Sequence, residues 1–297
     1  MARDRTWELK RRDAMLNMSF REDPFAPAAD PRFLYLSAQH ADVLLRAQNV
    51  IETSRGLAIV EGPIGVGKST IARRLESIYR ANPDENVVVY AHTSTYPSEF
   101  AALVDICNQL GLERRKGLTQ QWREMESYLV SMMKKEKMVV FILDDAQKME
   151  PDALGLVHTL YNFDVNKKLA QVILFGQPEI RNLIESRPEV ANRVYTWLTL
   201  NSLSLADSIE LIRFRCKVAG RDYPILSQGS LLIVSQITRG IPRDIVNLCS
   251  LIIDEITRTG RNPGVALIED EIVLAAIEIF KKAVSARPDQ PALFNGE

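Results

Sequence analysis

The sequence predicts an α/β protein: a three-layer core in which a parallel β-sheet is covered by helices on both faces, followed by a small all-helical domain. Three observations predict it. Apolar runs at 57–61 (closing on Glu61), 87–90, 139–143 and 172–176 alternate with stretches of helical spacing, as strands buried on both faces do. The glycine-rich stretch Gly62-Pro63-Ile64-Gly65-Val66-Gly67-Lys68-Ser69 joins the first of those runs to a helical one. From Ser204 onward helical periodicity recurs at 204–219, 227–238, 242–258 and 268–283 with no strand between.

The elements follow in order. Residues 1–22 are charged and read as an arm or short helix, and the prolines at 24, 27 and 31 forbid a regular helix after them. Ser37 caps a helix reaching about residue 53, with Val43, Leu44, Val50 and Ile51 inward. Strand 57–61 leads into the glycine loop and a helix whose apolar positions are Ile71, Leu75, Ile78 and Tyr79. Strand 87–90, helices 98–110 and 120–135, strand 139–143 and strand 172–176 come next, with a weaker fifth strand around 195–198. Trp122 and Tyr128 are read as core-facing. The end, from Ala286, carries two prolines and a glycine and reads as a disordered tail.

The 297 residues suffice for one large or two smaller domains, and 46% hydrophobic content supplies a full core. A net charge of −1 gives no global bias toward nucleic acid or an anionic membrane, so any such binding needs a local patch. Cys107, Cys216 and Cys249 are scattered, and His40, His92 and His158 lie far apart; a disulfide frame or a zinc site is not expected. There is no apolar run of transmembrane length and no apolar leader after the charged N-terminus. The expectation is a soluble, cytoplasmic protein without direct membrane insertion.

The glycine stretch fits G-x-x-x-x-G-K-[ST], a phosphate-binding loop, in the strand–loop–helix context that motif requires. Its glycines let backbone N–H groups turn toward a phosphate, and the helix beginning there adds its positive end. Gly62 through Thr70 is therefore the candidate nucleotide-binding segment, with Lys68 reaching the β- and γ-phosphates and Ser69 offering its hydroxyl to Mg²⁺. Phe141-Ile142-Leu143-Asp144-Asp145 places two carboxylates at the exit of an apolar strand. Asp144 is the candidate Mg²⁺ ligand beside Ser69, and Asp145 the residue that polarises the attacking water. Gln177, after the 172–176 strand, is positioned to meet the γ-phosphate or the water.

Together with Gly240-Ile241-Pro242-Arg243 at the start of a helix, these motifs resemble the AAA+ ATPases. The resemblance implies ATP and Mg²⁺ as ligands, a second phosphate contact from Arg243, and an arginine finger reaching a neighbouring subunit's nucleotide. Arg193 is the best match for that finger and Arg187 the second. It implies a homo-oligomer, a ring or helical filament with nucleotide shared between subunits. Boundaries follow: a charged arm over 1–22, an AAA+ domain over 23–200, a helical lid over 201–284 and a disordered tail over 285–297. Many such ATPases carry glutamate where Asp145 stands, and the shorter side chain predicts slow, switch-like hydrolysis.

More narrowly, about residues 23–280 are similar to the ExeA/GspA-type ATPases of secretion pathways. The matching segments are Asp23-Pro24-Phe25, the run from Asp30 to Ser37 with His40, Leu143-Asp144-Asp145-Ala146-Gln147, Phe175-Gly176-Gln177-Pro178-Glu179, Val218-Ala219-Gly220 and Arg239-Gly240-Ile241-Pro242-Arg243. Full secretion members continue into a transmembrane helix and a peptidoglycan-binding part, whereas this sequence stops. That favours the layout of stand-alone TnsC- or TniB-like transposition regulators, which assemble on duplex DNA and recruit a transposase. On that resemblance the candidate DNA contacts are Thr93, Thr95, Arg114, Arg115 and Lys116, of the residue types that contact phosphates. A solvated turn between two helices is the competing reading of the basic trio. A secretion or pilus-assembly ATPase working with a membrane partner is the alternative function.

Overall fold

The structure, a computed structural model, describes residues 6–26, 30–92, 94–164 and 168–286. Its elements in chain order are α1 (Thr6–Asn17), α2 (Ala38–Glu52), β1 (Leu57–Glu61), α3 (Lys68–Arg80), β2 (Asn86–Ala91), α4 (Glu99–Gln109), α5 (Leu118–Lys134), β3 (Met138–Leu143), α6 (Gly155–Asn162), β4 (Ala170–Gly176), α7 (Ile180–Glu185), α8 (Pro188–Ala191), β5 (Thr196–Thr199), α9 (Leu205–Val218), α10 (Gln228–Ile237), α11 (Pro242–Thr259) and α12 (Asp270–Ser285). Short 3₁₀ turns lie at Pro31–Phe33, Ala146–Lys148 and Pro151–Leu154. Two compact units result, one of residues 38–201, the other of residues up to 37 together with those from 202 onward.

The first unit is built on a five-stranded sheet in the order β2-β3-β4-β1-β5. Every pairing is parallel, with Leu57 opposite Val172, Val139 opposite Ala170 and Val87 opposite Val139. All residues of β1 and β4 are buried, which is why, Glu61 and Gln171 apart, their sequences are apolar on both faces. Leu57, Ile59, Phe141, Leu143, Val172 and Leu174 join Leu103, Ile106, Met125, Leu129 and Leu156 in one core cluster. Trp122 and Tyr128 pack against that cluster. On α3 the buried residues Lys68, Ile71, Ala72, Leu75 and Tyr79 repeat at helical spacing and form one stripe. In an open parallel sheet ligands bind beyond the carboxyl ends of the strands, where neighbouring strands lead in opposite directions. Here the loops after β1, β4 and β3 open at that edge side by side.

Two details differ from the sequence expectation. β4 begins at Ala170 rather than 172 because buried Gln171 fits the strand: its Oε1 accepts from the Gly56 N–H at 2.9 Å and its Nε2 donates to the Lys168 carbonyl at 3.0 Å. The short helices α6, α7 and α8 were not foreseen, since one or two turns give little periodicity to read.

The second unit packs α9 to α12 into a core that includes Ala14, Met18, Phe20, Phe25 and Phe33. The segment read as a charged arm or short helix is, over Thr6–Asn17, a helix whose end is built into this core. Of residues 23–37, expected with the α/β domain, the described ones, 23–26 and 30–37, cluster here too. The cause is chemical. Arg215 donates to the carbonyls of Pro24 (2.6 Å), Phe33 (3.3 Å) and Ala26 (3.3 Å). Arg11 pairs with Asp23 at 2.9 Å and with Asp254 of α11. Residues 287–297, within the expected tail, lie outside the described residues, and α12 runs to Ser285. Among the described residues no helix is long and apolar enough to cross a membrane.

Candidate functional site

The site is assembled where the strands of the first unit end. The loop after β1 carries Gly65 at φ 83° and Gly67 at φ 107°. At Gly67 a side chain is excluded twice, by that left-handed backbone and by a Cβ lying 2.8 Å from His40 Nε2. Gly67 is also the N-cap of α3 and offers no side-chain cap. A helix start left uncapped by side chains presents backbone donors and a positive dipole end, the arrangement that suits an anion. Val66 is buried and its carbonyl accepts from His40 Nε2 at 2.9 Å, which anchors the loop to α2. Lys68 is 7% exposed, and its Nζ donates to the carbonyls of Gly62 at 2.6 Å and Pro63 at 2.7 Å. Pro63 and Ser69 are exposed; Ile64, Gly65 and Thr70 are half-buried.

The second wall comes from β3. Asp144 is 3% exposed. Its Oδ2 accepts from the Tyr90 hydroxyl at 3.1 Å and its Oδ1 from the Asp145 N–H at 2.9 Å. Burial and the Asp144 carboxylate push the Tyr90 hydroxyl far up from its ordinary value, so Tyr90 remains a donor. Asp145 adopts a left-handed backbone, φ 53° and ψ 34°, which aspartate tolerates better than most residues. Its carboxylate pairs with Lys148 at 2.7 Å and accepts from Gln147 Nε2 at 3.4 Å. Burial pushes this carboxyl upward, but hydrogen bonds from Lys148 and Gln147 and the charges of Lys148 and Lys68 hold it below the ordinary value. Lys68 of the glycine loop is thus among the positive charges that act on the carboxylate at the β3 exit.

Gln177 follows β4, between the other two loops, and is half-buried. Its N–H donates to Gln147 Oε1 at 3.0 Å. Among the described residues two buried side-chain oxygens, Glu61 Oε2 and Ser94 Oγ, have no hydrogen-bond partner. Both lie at this same edge: Glu61 ends β1, and the Ser94 N–H donates to the Asp144 carbonyl at 2.9 Å. Buried polar atoms are rarely left unsatisfied, so their concentration here fits a site that takes up a polar ligand. The described residues contain no cluster of three or more His, Cys, Asp or Glu suited to a metal. A Mg²⁺ ion here would therefore be held by few protein ligands, with Ser69 and Asp144 the donors of suitable chemistry, and otherwise by phosphates and water.

The remaining sequence candidates lie elsewhere. Arg193 donates to the Glu189 carbonyl and stands 5.6 Å over the Tyr161 ring. Arg187 pairs with Glu189 at 2.5 Å and donates to the Pro151 carbonyl at 3.0 Å. Arg243 is in the other unit, exposed in the first turn of α11. Of the DNA candidates, Thr95, Arg114 and Lys116 are exposed and Thr93 lies outside the described residues. Arg115 is held by Glu113 and Glu124, each at 2.9 Å, so two carboxylates already compete for its charge.

Sequence reasoning assigned no role at the site to His40, Tyr90, Gln147, Lys148 or Arg181. Arg181 of α7 pairs with Glu61 and lies 4.8 Å over Trp197. His40 and Gln147 had a signal available in the segments that match the ExeA/GspA-type family, and Lys148 in its spacing three residues after Asp145.

A parallel sheet with a glycine loop after β1, adjacent carboxylates after β3 and a polar residue after β4 defines the AAA+ class of P-loop proteins. Residues 51–184 match the AAA domain family. Solved structures of similar fold include the ORC2 protein of Aeropyrum pernix (TM-score 0.69, 15% identity, 92% of this chain and 74% of that one). Cdc6p of Pyrobaculum aerophilum is comparable (0.68, 15%, 91% and 75%), as is Drosophila ORC bound to DNA (0.64, 15%, 97% and 71%). More particularly, the chain is similar to General secretion pathway protein A of Aeromonas hydrophila, with 28% identity over 263 residues. These matches support an AAA+ ATPase of the ExeA/GspA type. The similarity spans 87% of this chain and about half, 47%, of that relative.

Proposed function

We propose that the chain binds ATP with Mg²⁺, hydrolyses it slowly, and uses the nucleotide to control assembly into a ring or filament on duplex DNA. The observation that carries the nucleotide part is the loop: a left-handed Gly67, an uncapped α3 and a buried Lys68 folded onto its own loop, with Lys68 charge felt at Asp145. When a triphosphate binds, Lys68 exchanges the Gly62 and Pro63 carbonyls for phosphate oxygens, and backbone N–H groups of residues 65–70 orient the chain of phosphates. Mg²⁺ held by Ser69 and Asp144 would supply charge neutralisation. Asp145 orients water, Gln177 and Arg243 sense the γ-phosphate, and Arg193 serves a neighbour's nucleotide. Slow turnover is supported by the shorter Asp145 side chain and by its engagement with Lys148.

Support for DNA is indirect. Two of the structural neighbours, Drosophila ORC and Aeropyrum pernix ORC1, are described as bound to or in complex with DNA, and Thr95, Arg114 and Lys116 stand exposed. Repetition around an oligomer would multiply such a patch. The resemblance to transposition regulators extends the reading to marking a target and recruiting a transposase. The similarity to General secretion pathway protein A favours the second reading, an ATPase of secretion or pilus assembly.

The test is electron microscopy of the full chain with duplex DNA and either ATP, ADP or a slowly hydrolysed ATP analogue. Rings or filaments on DNA that need the triphosphate are expected. ATP-dependent rings indifferent to DNA overturn the DNA part and support the secretion reading; absence of ATP binding overturns both.

A further inference from the structure

The amide of Gln147 spans two of the site's strand ends. It projects from the 3₁₀ turn Ala146–Lys148, which Asp145 caps with its left-handed backbone. Its oxygen accepts the N–H of Gln177, at 3.0 Å, and its nitrogen faces Asp145 Oδ1, at 3.4 Å. β3 and β4 are neighbours in the sheet, so one side chain ties the residue after β4 to the carboxylate after β3. The approach depends on Gly176, where a Cβ would lie 3.2 Å from Gln147 Oε1 and 2.7 Å from Ile180 Cδ1. An amide is the group this bridge requires, because one end must accept and the other donate.

We infer that Gln147 is a positioning residue for ATP hydrolysis, setting the Asp145 carboxylate according to the position of the Gln177 loop. The inference rests on the reading of this edge as an ATP-hydrolysing site. A change at Gln177 on meeting a γ-phosphate moves the Gln147 oxygen with it, and the same rigid amide then turns its nitrogen relative to Asp145. Lys148 holds the other carboxylate oxygen at 2.7 Å, so Asp145 leaves its present position only when the two holds are redistributed. Gln147 touches no reacting atom in this scheme.

Two substitutions separate positioning from simple capping of β4. Gln147→Ala removes both contacts. Gln147→Glu keeps an acceptor for the Gln177 N–H and replaces the donor facing Asp145 with a second acceptor. Phosphate release from Mg-ATP is measured on the full chain with and without duplex DNA, together with binding of a fluorescent ATP analogue and thermal melting. Both variants are expected to lose turnover by on the order of tenfold to a hundredfold, a typical cost of misplacing a reactive group. Both are expected to bind the analogue as the unaltered chain does, and Gln147→Glu to melt as it does. Turnover in Gln147→Glu equal to that of the unaltered chain overturns the inference and leaves Lys148 as the group that holds Asp145. A variant that loses analogue binding in step with turnover overturns it too. If the unaltered chain releases no phosphate under either condition while binding the analogue, the hydrolytic reading itself falls.

Discussion

The two units solve the problem of burying polar groups in opposite ways. In the unit of residues 38–201 the strands supply apolar side chains to both faces, and the buried charged groups Glu61, Lys68 and Asp144 gather at one edge of the sheet. In the other unit two guanidinium groups lie inside the fold. Arg221, 1% exposed, donates to the carbonyls of Met18 (2.9 Å), Gly264 (3.2 Å), Tyr223 (3.4 Å), Pro224 (3.1 Å), Val265 (3.2 Å) and Ala266 (3.1 Å). Arg215 does the same for the segment around Pro24 and Phe33. Burial pulls both guanidinium groups below their ordinary values, yet arginine stays charged. The lesson concerns charge: in the first unit the buried charged side chains are gathered at a site, with uncharged Gln171 and Gln121 tying loop backbone, while in the second buried guanidinium groups hold irregular backbone in place.

That contrast breaks most visibly at Arg221. Arg221→Met keeps much of the volume but removes every donor, leaving several buried carbonyls unpaired. The expected loss of stability is about 3–5 kcal/mol, as for breaking a buried polar network by deleting one partner. Chemical denaturation followed by circular dichroism measures it. A loss under about 1 kcal/mol, within the range of a single ordinary hydrogen bond, would show that water replaces the guanidinium and that the two units do not differ in this way.

Lys68→Ala tests the other side. The expected outcome is a fall in ATP affinity on the order of a hundredfold or more, the scale for removing a preorganised charged donor. Stability should fall far less than affinity, because the Gly62 and Pro63 carbonyls that Nζ meets lie in a loop at the open edge of the sheet, where water can take them over. Titration with a fluorescent ATP analogue and a thermal melt give the two numbers. A large stability loss with unchanged affinity would reverse the roles assigned to the units.

What was legible in the sequence follows the same division. β1 was read to the residue, and the glycine loop and the Asp144–Asp145 pair were found, because the backbone requirement of a phosphate loop and the apolarity of buried parallel strands are local properties. The role of the N-terminal segment was not legible. Arg11 and the Arg215 and Arg221 guanidinium groups look like surface charges until their partners, up to 243 residues away in sequence, are seen. Phe20 and Phe25, both buried, sit in a stretch whose charges and prolines dominate any window average. At the site the roles that were missed are those defined by contact: His40 and Gln147 stood in matched segments without a role, one on α2 and one in a turn too short to show a period, and Tyr90 ends a strand that reads as core.

Tyr90→Phe sharpens the comparison at intermediate size. Removing the hydroxyl leaves Asp144 Oδ2 without its 3.1 Å donor. If Asp144 holds Mg²⁺, the metal concentration needed for half-maximal turnover rises about tenfold, as expected when an orienting partner of a ligand is lost. Turnover at saturating Mg²⁺ stays near that of the unaltered chain. An equal fall at every Mg²⁺ concentration would instead mean that Tyr90 acts on the reaction through something other than the metal ligand.

The smallest effects come from two helix caps of like chemistry, one in each unit. Ser98 accepts from the Ala101 N–H at 3.2 Å at the start of α4, and Ser204 accepts from the Asp207 N–H at 3.0 Å at the start of α9. Removing an N-cap hydroxyl costs about 1 kcal/mol, and Ser98→Ala is expected to show that. Ser204 has more attached to it. Its hydroxyl also donates to Asp207 Oδ2 at 2.6 Å, and Asp207 Oδ1 accepts from Tyr35 at 3.0 Å. Ser204→Ala therefore frees a carboxylate that helps hold Tyr35 to α9, and its cost is expected to exceed that of Ser98→Ala in the same denaturation experiment. Tyr35→Phe made in both backgrounds isolates the link: it should cost less when Ser204 is already alanine, and the same with or without Ser98. Additive losses in both pairs would show that the Asp207 network contributes nothing to holding the N-terminal segment, leaving that to Arg11, Arg215, Arg221 and apolar contacts.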